Sequence, residues 1–138
     1  MGFGLPESAA NSPARRGNER IERRLDPSIP AFETDRAQLQ QVLLNLFNNA
    51  LDASEEGGRI IVHSRSTANA IEVAVEDDGE GIPKEIADRI FDPFFTTKAP
   101  GQGNGLGLSI SHSIMQNLGG SLSFESEPGR GSIFRVRL

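Results

Sequence analysis

No cysteine occurs in the 138-residue chain, so it holds neither a disulfide framework nor a thiolate metal site, and the absence suits a reducing compartment. No run approaches the roughly 18 apolar residues that cross a bilayer, and the N-terminus lacks the apolar stretch of a secretory signal. The chain reads as soluble. Positive charge is scarce: 14 Lys and Arg against 19 Asp and Glu leave a net charge of -5 and a pI near 5.0. A general phosphate-backbone binder shows a basic stripe, so nucleic acid is not an expected partner. Two phosphate-binding motifs are also missing. G-x-G-x-x-G fails in every register of Gly101 to Leu108, and neither Lys84 nor Lys98 follows glycine as in a Walker A loop.

The length suits one domain with one core. Residues 1–17, rich in Gly, Pro, Ser, Ala and Arg without an apolar period, read as a disordered linker or vector-derived tail, leaving 18–138 as the domain. Glu19 to Leu25 suits a short strand, and Pro27 and Pro30 keep the chain extended up to Thr34-Asp35. Asp35 with Gln38 resembles a capping box, and Leu39, Val42, Leu43, Leu46, Phe47, Ala50 and Leu51 recur at helical spacing until Gly57-Gly58. Ile60 to Ser66 and Ile71 to Glu76 form a predicted hairpin around Thr67 to Ala70. Pro83 to Ile90 reads as a short helix, Asp92 to Asn104 as a mobile loop, and Gly105 to Leu118 as a third helix stopped by Gly119-Gly120. Ser121 to Glu125 and the alternating Phe134, Val136 and Leu138 supply two more strands. The expected class is α/β (α+β): a two-layer sandwich with a mixed sheet of about five strands and about three helices on one face.

Three segments carry possible chemistry. Asn45 and Asn49 lie four apart on the first helix, so their amides share a face, with Asp52 nearby. A solvated or structural amide pair and a hard-cation site are both open readings, because an amide oxygen suits Mg²⁺. Asp77-Asp78-Gly79-Glu80-Gly81-Ile82-Pro83 makes a sharp turn. It is either a plain connection or a purine site, in which the Asp77 carboxylate accepts from an exocyclic amine while the glycines admit the ring. Gly101 to Leu108 carries glycines at alternate positions leading into a helix. That pattern fits a phosphate cradle or simply a loop with a cap.

Taken together, the segments resemble a known family. Asn45 to Ala53 resembles its N box, Asp77 to Gly81 its first glycine box, Ile90 to Lys98 its F box, Gly103 to Leu108 its second glycine box and Gly129 to Phe134 its last. The five boxes stand in family order and cover the chain from about Glu19 to Leu138. The resemblance is to the ATP-binding catalytic domain of bacterial sensor histidine kinases, in the GHKL superfamily with DNA gyrase and the MutL proteins. It implies the Bergerat-type sandwich, ATP and Mg²⁺. Asn49 is implied as the metal ligand, with Asn45 beside the metal and triphosphate as the second catalytic residue. Asp77 would bind the adenine amine, Gly81 would line the base and Ser132 would support it. Phe91 to Gly103 would form a lid, Lys98 would reach the phosphates, and Gly103, Gly105, Leu106 and Gly107 would shape the phosphate pocket. Gly79, Ile82, Thr97 and Leu108 complete the implied ATP-binding set.

Two departures stand out. Asp52 occupies a position that is basic in many relatives, and neither histidine belongs to a phosphoacceptor motif, since Ser64 follows His63 and Ser113 follows His112. The resemblance therefore implies a kinase acting on a histidine of a separate dimerisation domain, with a response regulator downstream. The chain alone is expected to be a monomer that binds ATP without autophosphorylating. It is expected to be cytoplasmic even where its parent is membrane-anchored. Gyrase-like ATPases use a glutamate as the general base where this chain has Asn45, and an amide cannot take a proton, which disfavours rapid hydrolysis. A serine kinase of anti-sigma partners resembles the Phe94-Phe-Thr-Thr-Lys98 lid less well. A non-catalytic nucleotide-sensing module is the alternative of a different class.

Overall fold

The computed structural model describes residues 20–29, 34–54, 57–95 and 107–138; the expected tail at 1–17 lies outside them. Helix α1 spans Arg36–Ala53. It starts where the capping signal predicts: the Asp35 carboxylate accepts the Gln38 N–H at 3.1 Å, and the Asp35 carbonyl accepts the Leu39 N–H at 3.0 Å. It ends before Gly57, because the Ser54 N–H and hydroxyl both turn back on the Ala50 carbonyl at 3.0 and 2.8 Å. The helical period buries Leu39, Val42, Leu43, Leu46, Phe47 and Ala50. Asn45 and Asn49 fall at the half-buried seam beside that stripe.

Helix α2 spans Gly107–Asn117 and buries Ser111, Ile114 and Met115. It stops on Gly119, whose φ of 79° is left-handed. The Gly119 N–H then reaches the Gln116 carbonyl and the Gly120 N–H the Met115 carbonyl, at 3.1 and 2.9 Å. Those paired bonds are a Schellman turn.

Five strands form one mixed sheet: β1 (Arg20–Arg24), β2 (Arg59–Ser66), β3 (Ile71–Asp77), β4 (Ser121–Glu127) and β5 (Gly131–Arg137). Their spatial order is β1-β2-β3-β5-β4, with β1 and β2 parallel and every other pair antiparallel. Parallel neighbours need a crossover, and α1 provides it. The β2–β3 hairpin forms as predicted, with Ser66 opposite Ile71 and the Thr67 hydroxyl holding the Ala70 N–H at 3.1 Å.

Alternation along the strands separates two faces. Ile60, Val62, Val73, Val75, Leu122, Phe134 and Val136 join the helices in the core. The other face carries polar pairs instead, including the ion pairs Arg59–Glu22 at 3.0 Å and Arg65–Glu72 at 3.1 Å and the His63–Glu76 hydrogen bond at 2.9 Å. The result is a two-layer sandwich. One row on the core face is polar at its end: the register sets Asp77 opposite Ser132 and Ser132 opposite Ser126, across three adjacent strands.

The helix count differs from expectation. Pro83 to Ile90 is a string of turns with a single 3₁₀ turn at Ala87–Arg89. Its bonds run from residue to residue three back, as in Ile86 N–H to the Pro83 carbonyl and Arg89 N–H to the Ile86 carbonyl. Eight residues give too few α-type bonds to offset the cost of starting a helix. Among the described residues no helix is long and apolar enough to cross a membrane.

Candidate functional site

Asn45 looks across from α1 to α2. Its Nδ2 donates to the Ser111 hydroxyl at 3.1 Å and, at the longer reach of 3.4 Å, to the Gly107 carbonyl. A side-chain amide has two N–H bonds and one carbonyl, so with both N–H bonds directed at α2 the Oδ1 is left as the available ligand atom. Ser111 is fully buried. Asn49 lies half-buried one turn along the same stripe, and Asp52 beyond it is exposed.

Asp77 closes β3 as a buried carboxylate. Burial pushes its carboxyl above the ordinary value near 3.8, and the neighbouring Asp78 and Glu76 push the same way. The N–H groups of Gly79 and Ser132 oppose the shift by donating to the carboxylate, the first at 2.9 Å. The site thus offers strong acceptor oxygens inside a low-dielectric wall.

The chain around Asp77 is packed backbone to backbone. A Cβ on Gly79 would strike the Ala53 carbonyl at the end of α1, which ties the first glycine box to the helix of Asn45 and Asn49. A Cβ on Gly81, at φ 75°, would strike the Glu127 carbonyl, and one on Gly131 would strike the Asp77 carbonyl. The Gly129 N–H donates to the Glu80 carbonyl at 2.7 Å. Ser126 joins the same knot, taking the Ile82 N–H at 2.7 Å and lying 2.8 Å from the Ser132 hydroxyl.

Of the residues singled out from sequence, Asp77, Gly79, Gly81, Ile82 and Ser132 meet in this knot, and Asn45 meets Gly107. Asn49 lies on α1 between the two groups, and Leu108 packs against the core. Thr97, Lys98, Gly103, Gly105 and Leu106 lie outside the described residues, as does the expected lid beyond Phe95.

Sequence reasoning passed over Ser111 and Ser126. The available signal was a serine at a core-facing position: Ser126 follows Leu122 and Phe124 at alternate places in β4, and Ser111 falls between Leu108 and Met115 on the inner side of α2. His112, outside any phosphoacceptor motif, caps an aromatic row. It stacks on Phe91 with centroids 5.0 Å apart, Phe91 meets Phe124 edge-on at 5.7 Å, and Phe124 stacks on Phe134 at 5.5 Å. Phe94 is 72% exposed with a φ of 66°, the one positive φ outside glycine among the described residues.

Residues 34–138 match the family of histidine kinase-, DNA gyrase B- and HSP90-like ATPases. The alginate biosynthesis sensor protein KinB of Pseudomonas aeruginosa is 40% identical over 125 residues, covering 91% of this chain and 21% of KinB. The nucleotide-free catalytic domain of histidine kinase ThkA superposes with a TM-score of 0.78 at 36% identity, covering 88% of this chain and 79% of that one. ThkA in complex with the response regulator TrrA matches at 0.73 and 33% identity, over 88% and 34% of the two chains. Full-length ShkA in complex with AMPPNP matches at 0.78 and 27% identity, over 88% and 25%. The chain spans 12 to 25% of the length of the curated relatives it matches. It belongs to the histidine kinase-, DNA gyrase B- and HSP90-like ATPase family, and within it to the catalytic domains of sensor histidine kinases.

Proposed function

We propose that this domain binds ATP with Mg²⁺ and presents the γ-phosphoryl group to a histidine on a separate helical dimerisation domain of a two-component sensor kinase. The observation that carries the reading is the pair of oxygen-rich groups joined by the Gly79–Ala53 contact: Asp77 with Ser132 at one end, Asn45 with Asn49 at the other. Asp77 accepts from the adenine amine, with Gly79, Gly81 and Ile82 forming the edge the ring lies along and Ser132 beside it. Asn45 and Asn49 serve the metal and triphosphate. Thr97, Lys98, Gly103, Gly105, Leu106, Gly107 and Leu108 are assigned to the phosphates.

Mg²⁺ fits the donors on hand. Among the described residues no three His, Cys, Asp or Glu gather as ligands, so a hard cation here relies on amide oxygen from Asn49, with Asn45 Oδ1 nearby, and on phosphate oxygens. When bound, the ion neutralises phosphate charge. The protein's own work is positioning, which phosphoryl transfer chiefly requires. Asn45 cannot remove a proton from water, so ATP is held for transfer and not rapidly hydrolysed. The AMPPNP in the ShkA structure supports nucleotide binding at this fold, and the ThkA–TrrA complex supports a response regulator as downstream partner. The acceptor imidazole comes from elsewhere: His63 is paired with Glu76 and His112 is stacked on Phe91.

The test mixes the domain with a histidine-bearing helical partner and labelled ATP, alongside Asn49→Ala and Asp77→Asn. Label reaches the partner with the wild type and with neither variant. Transfer that survives both substitutions overturns the site assignment, and failure of the wild type to bind ATP overturns the reading. The domain is expected to run in light scattering as a 14.9 kDa monomer, and twice that mass would contradict the expectation.

A further inference from the structure

We propose that Ser126 is a positioning residue that makes the nucleotide site select a 6-amino purine over a 6-oxo purine, by fixing the direction of the Ser132 hydroxyl. The inference rests on the adenine-binding role proposed above for Asp77 and Ser132.

Proton counting in the knot leaves Ser126 one proton and two acceptors. Ser126 Oγ has three partners: the Ile82 N–H at 2.7 Å, the Gly131 carbonyl at 3.1 Å and the Ser132 hydroxyl at 2.8 Å. The amide can only donate, so Ser126 receives from Ile82 and has a single proton to give to either the Gly131 carbonyl or the Ser132 hydroxyl. Either hydroxyl can donate between Ser126 and Ser132; the proposed arrangement gives the Ser126 proton to Gly131, and Ser132 then donates to Ser126. Its proton is thereby turned toward β4, and only lone pairs remain on its other side.

Ser132 stands directly opposite Asp77 in the β3–β5 register, with both side chains on the same face of the sheet. Directly opposed side chains lie about 5 Å apart at Cβ. The Ser132 backbone N–H also donates to the Asp77 carboxylate. The pair therefore offers a ligand two neighbouring acceptors, the ionised carboxylate and a hydroxyl whose proton is committed elsewhere. An exocyclic amine has two N–H bonds to give and suits such a pair. A carbonyl oxygen at the same ring position meets lone pairs on both, and a buried polar group facing its own kind is strongly disfavoured. Among the described residues, the charges acting on Asp77 are Asp78 and Glu76, both acidic, and their carboxylates add no donor.

The mechanism places discrimination in a residue that need not touch the base. Removing the Ser126 hydroxyl frees the Ser132 proton to rotate toward the ligand, where it can satisfy a 6-oxo group. The probes are ATP and ITP, which differ at the 6-position and the adjacent ring proton, titrated with Mg²⁺ by calorimetry into the 138-residue chain. The wild type prefers ATP. In Ser126→Ala the ATP-to-ITP affinity ratio narrows about tenfold, and Ser126→Thr, which keeps the hydroxyl, restores it. Ser132→Ala narrows the ratio while leaving the Ile82–Ser126 bond in place, so the readout survives should Ser126→Ala fail to fold. An unchanged ratio in Ser132→Ala, or in a folded Ser126→Ala, overturns the proposal. If Asp77→Asn still abolishes ATP binding in that case, the nucleotide-site reading stands without it, whereas a wild type that binds no ATP removes both.

Discussion

The Asn45 amide and the buried Ser111 hydroxyl, 3.1 Å apart, lock the facing sides of α1 and α2 to each other. Ser111→Ala removes the acceptor and leaves an amide N–H half-buried without it. The expected loss is about 1–2 kcal/mol of stability, together with weaker Mg-ATP binding because the Asn45 carbonyl is no longer held outward. Denaturant melts and calorimetric titration measure the two effects; a variant that matches the wild type in both shows Asn45 to be indifferent to Ser111.

Asp77 predicts a pH dependence of defined sign. Its carboxyl is raised above the ordinary value near 3.8, so between that value and its own the folded state holds a proton that the unfolded state has released. Stability from this group is therefore lost as pH rises through the window. Asp77→Asn lacks the term, so its stability relative to wild type should increase from pH 4 towards neutrality. ATP affinity of the wild type runs the other way, falling on acidification as the carboxylate loses its acceptor character, with a midpoint above that of an ordinary aspartate.

Two left-handed glycines separate conformation from contact. Gly119, at φ 79°, has nothing within reach of an added methyl, so Gly119→Ala carries only the backbone penalty of about 1 kcal/mol. Gly81, at φ 75°, has the Glu127 carbonyl in the way. Gly81→Ala should cost upwards of about 3 kcal/mol, since overpacking is added to strain. Equal losses in thermal melts of the two variants would contradict the close approach.

The aromatic row gives a graded series. Phe91 has a ring on either side, His112 and Phe124, and Phe91→Ala should lose about 3 kcal/mol. His112 ends the row, and His112→Ala should lose about 1 kcal/mol or less. The reverse ranking would place the anchoring contact on α2.

Features written in local chemistry were legible in the sequence. Asp35 capped the first helix, Gly119 stopped the second, and Thr67 to Ala70 turned the hairpin, because each signal lies within four residues of its effect. Pro83 to Ile90 misled for the converse reason: a proline start suggested a helix, but the segment is too short to sustain α-type bonding. Asn45 and Asp77 were candidates by residue type, and Ser132 by the resemblance of its box. Ser111 and Ser126 were not, since their importance comes from the pairing of α1 with α2 and of β4 with β5, partners 66 and six residues apart along the chain.

Gly79, Gly81 and Gly131 each face another stretch of this chain's own backbone. Selection would therefore preserve them in any descendant that still folds, including one that has given up nucleotides altogether. Their persistence in a sequence testifies to architecture. On the proposed assignment, a descendant that has given up nucleotides is to be diagnosed from its side chains, from the fate of Asn49 and Asp77.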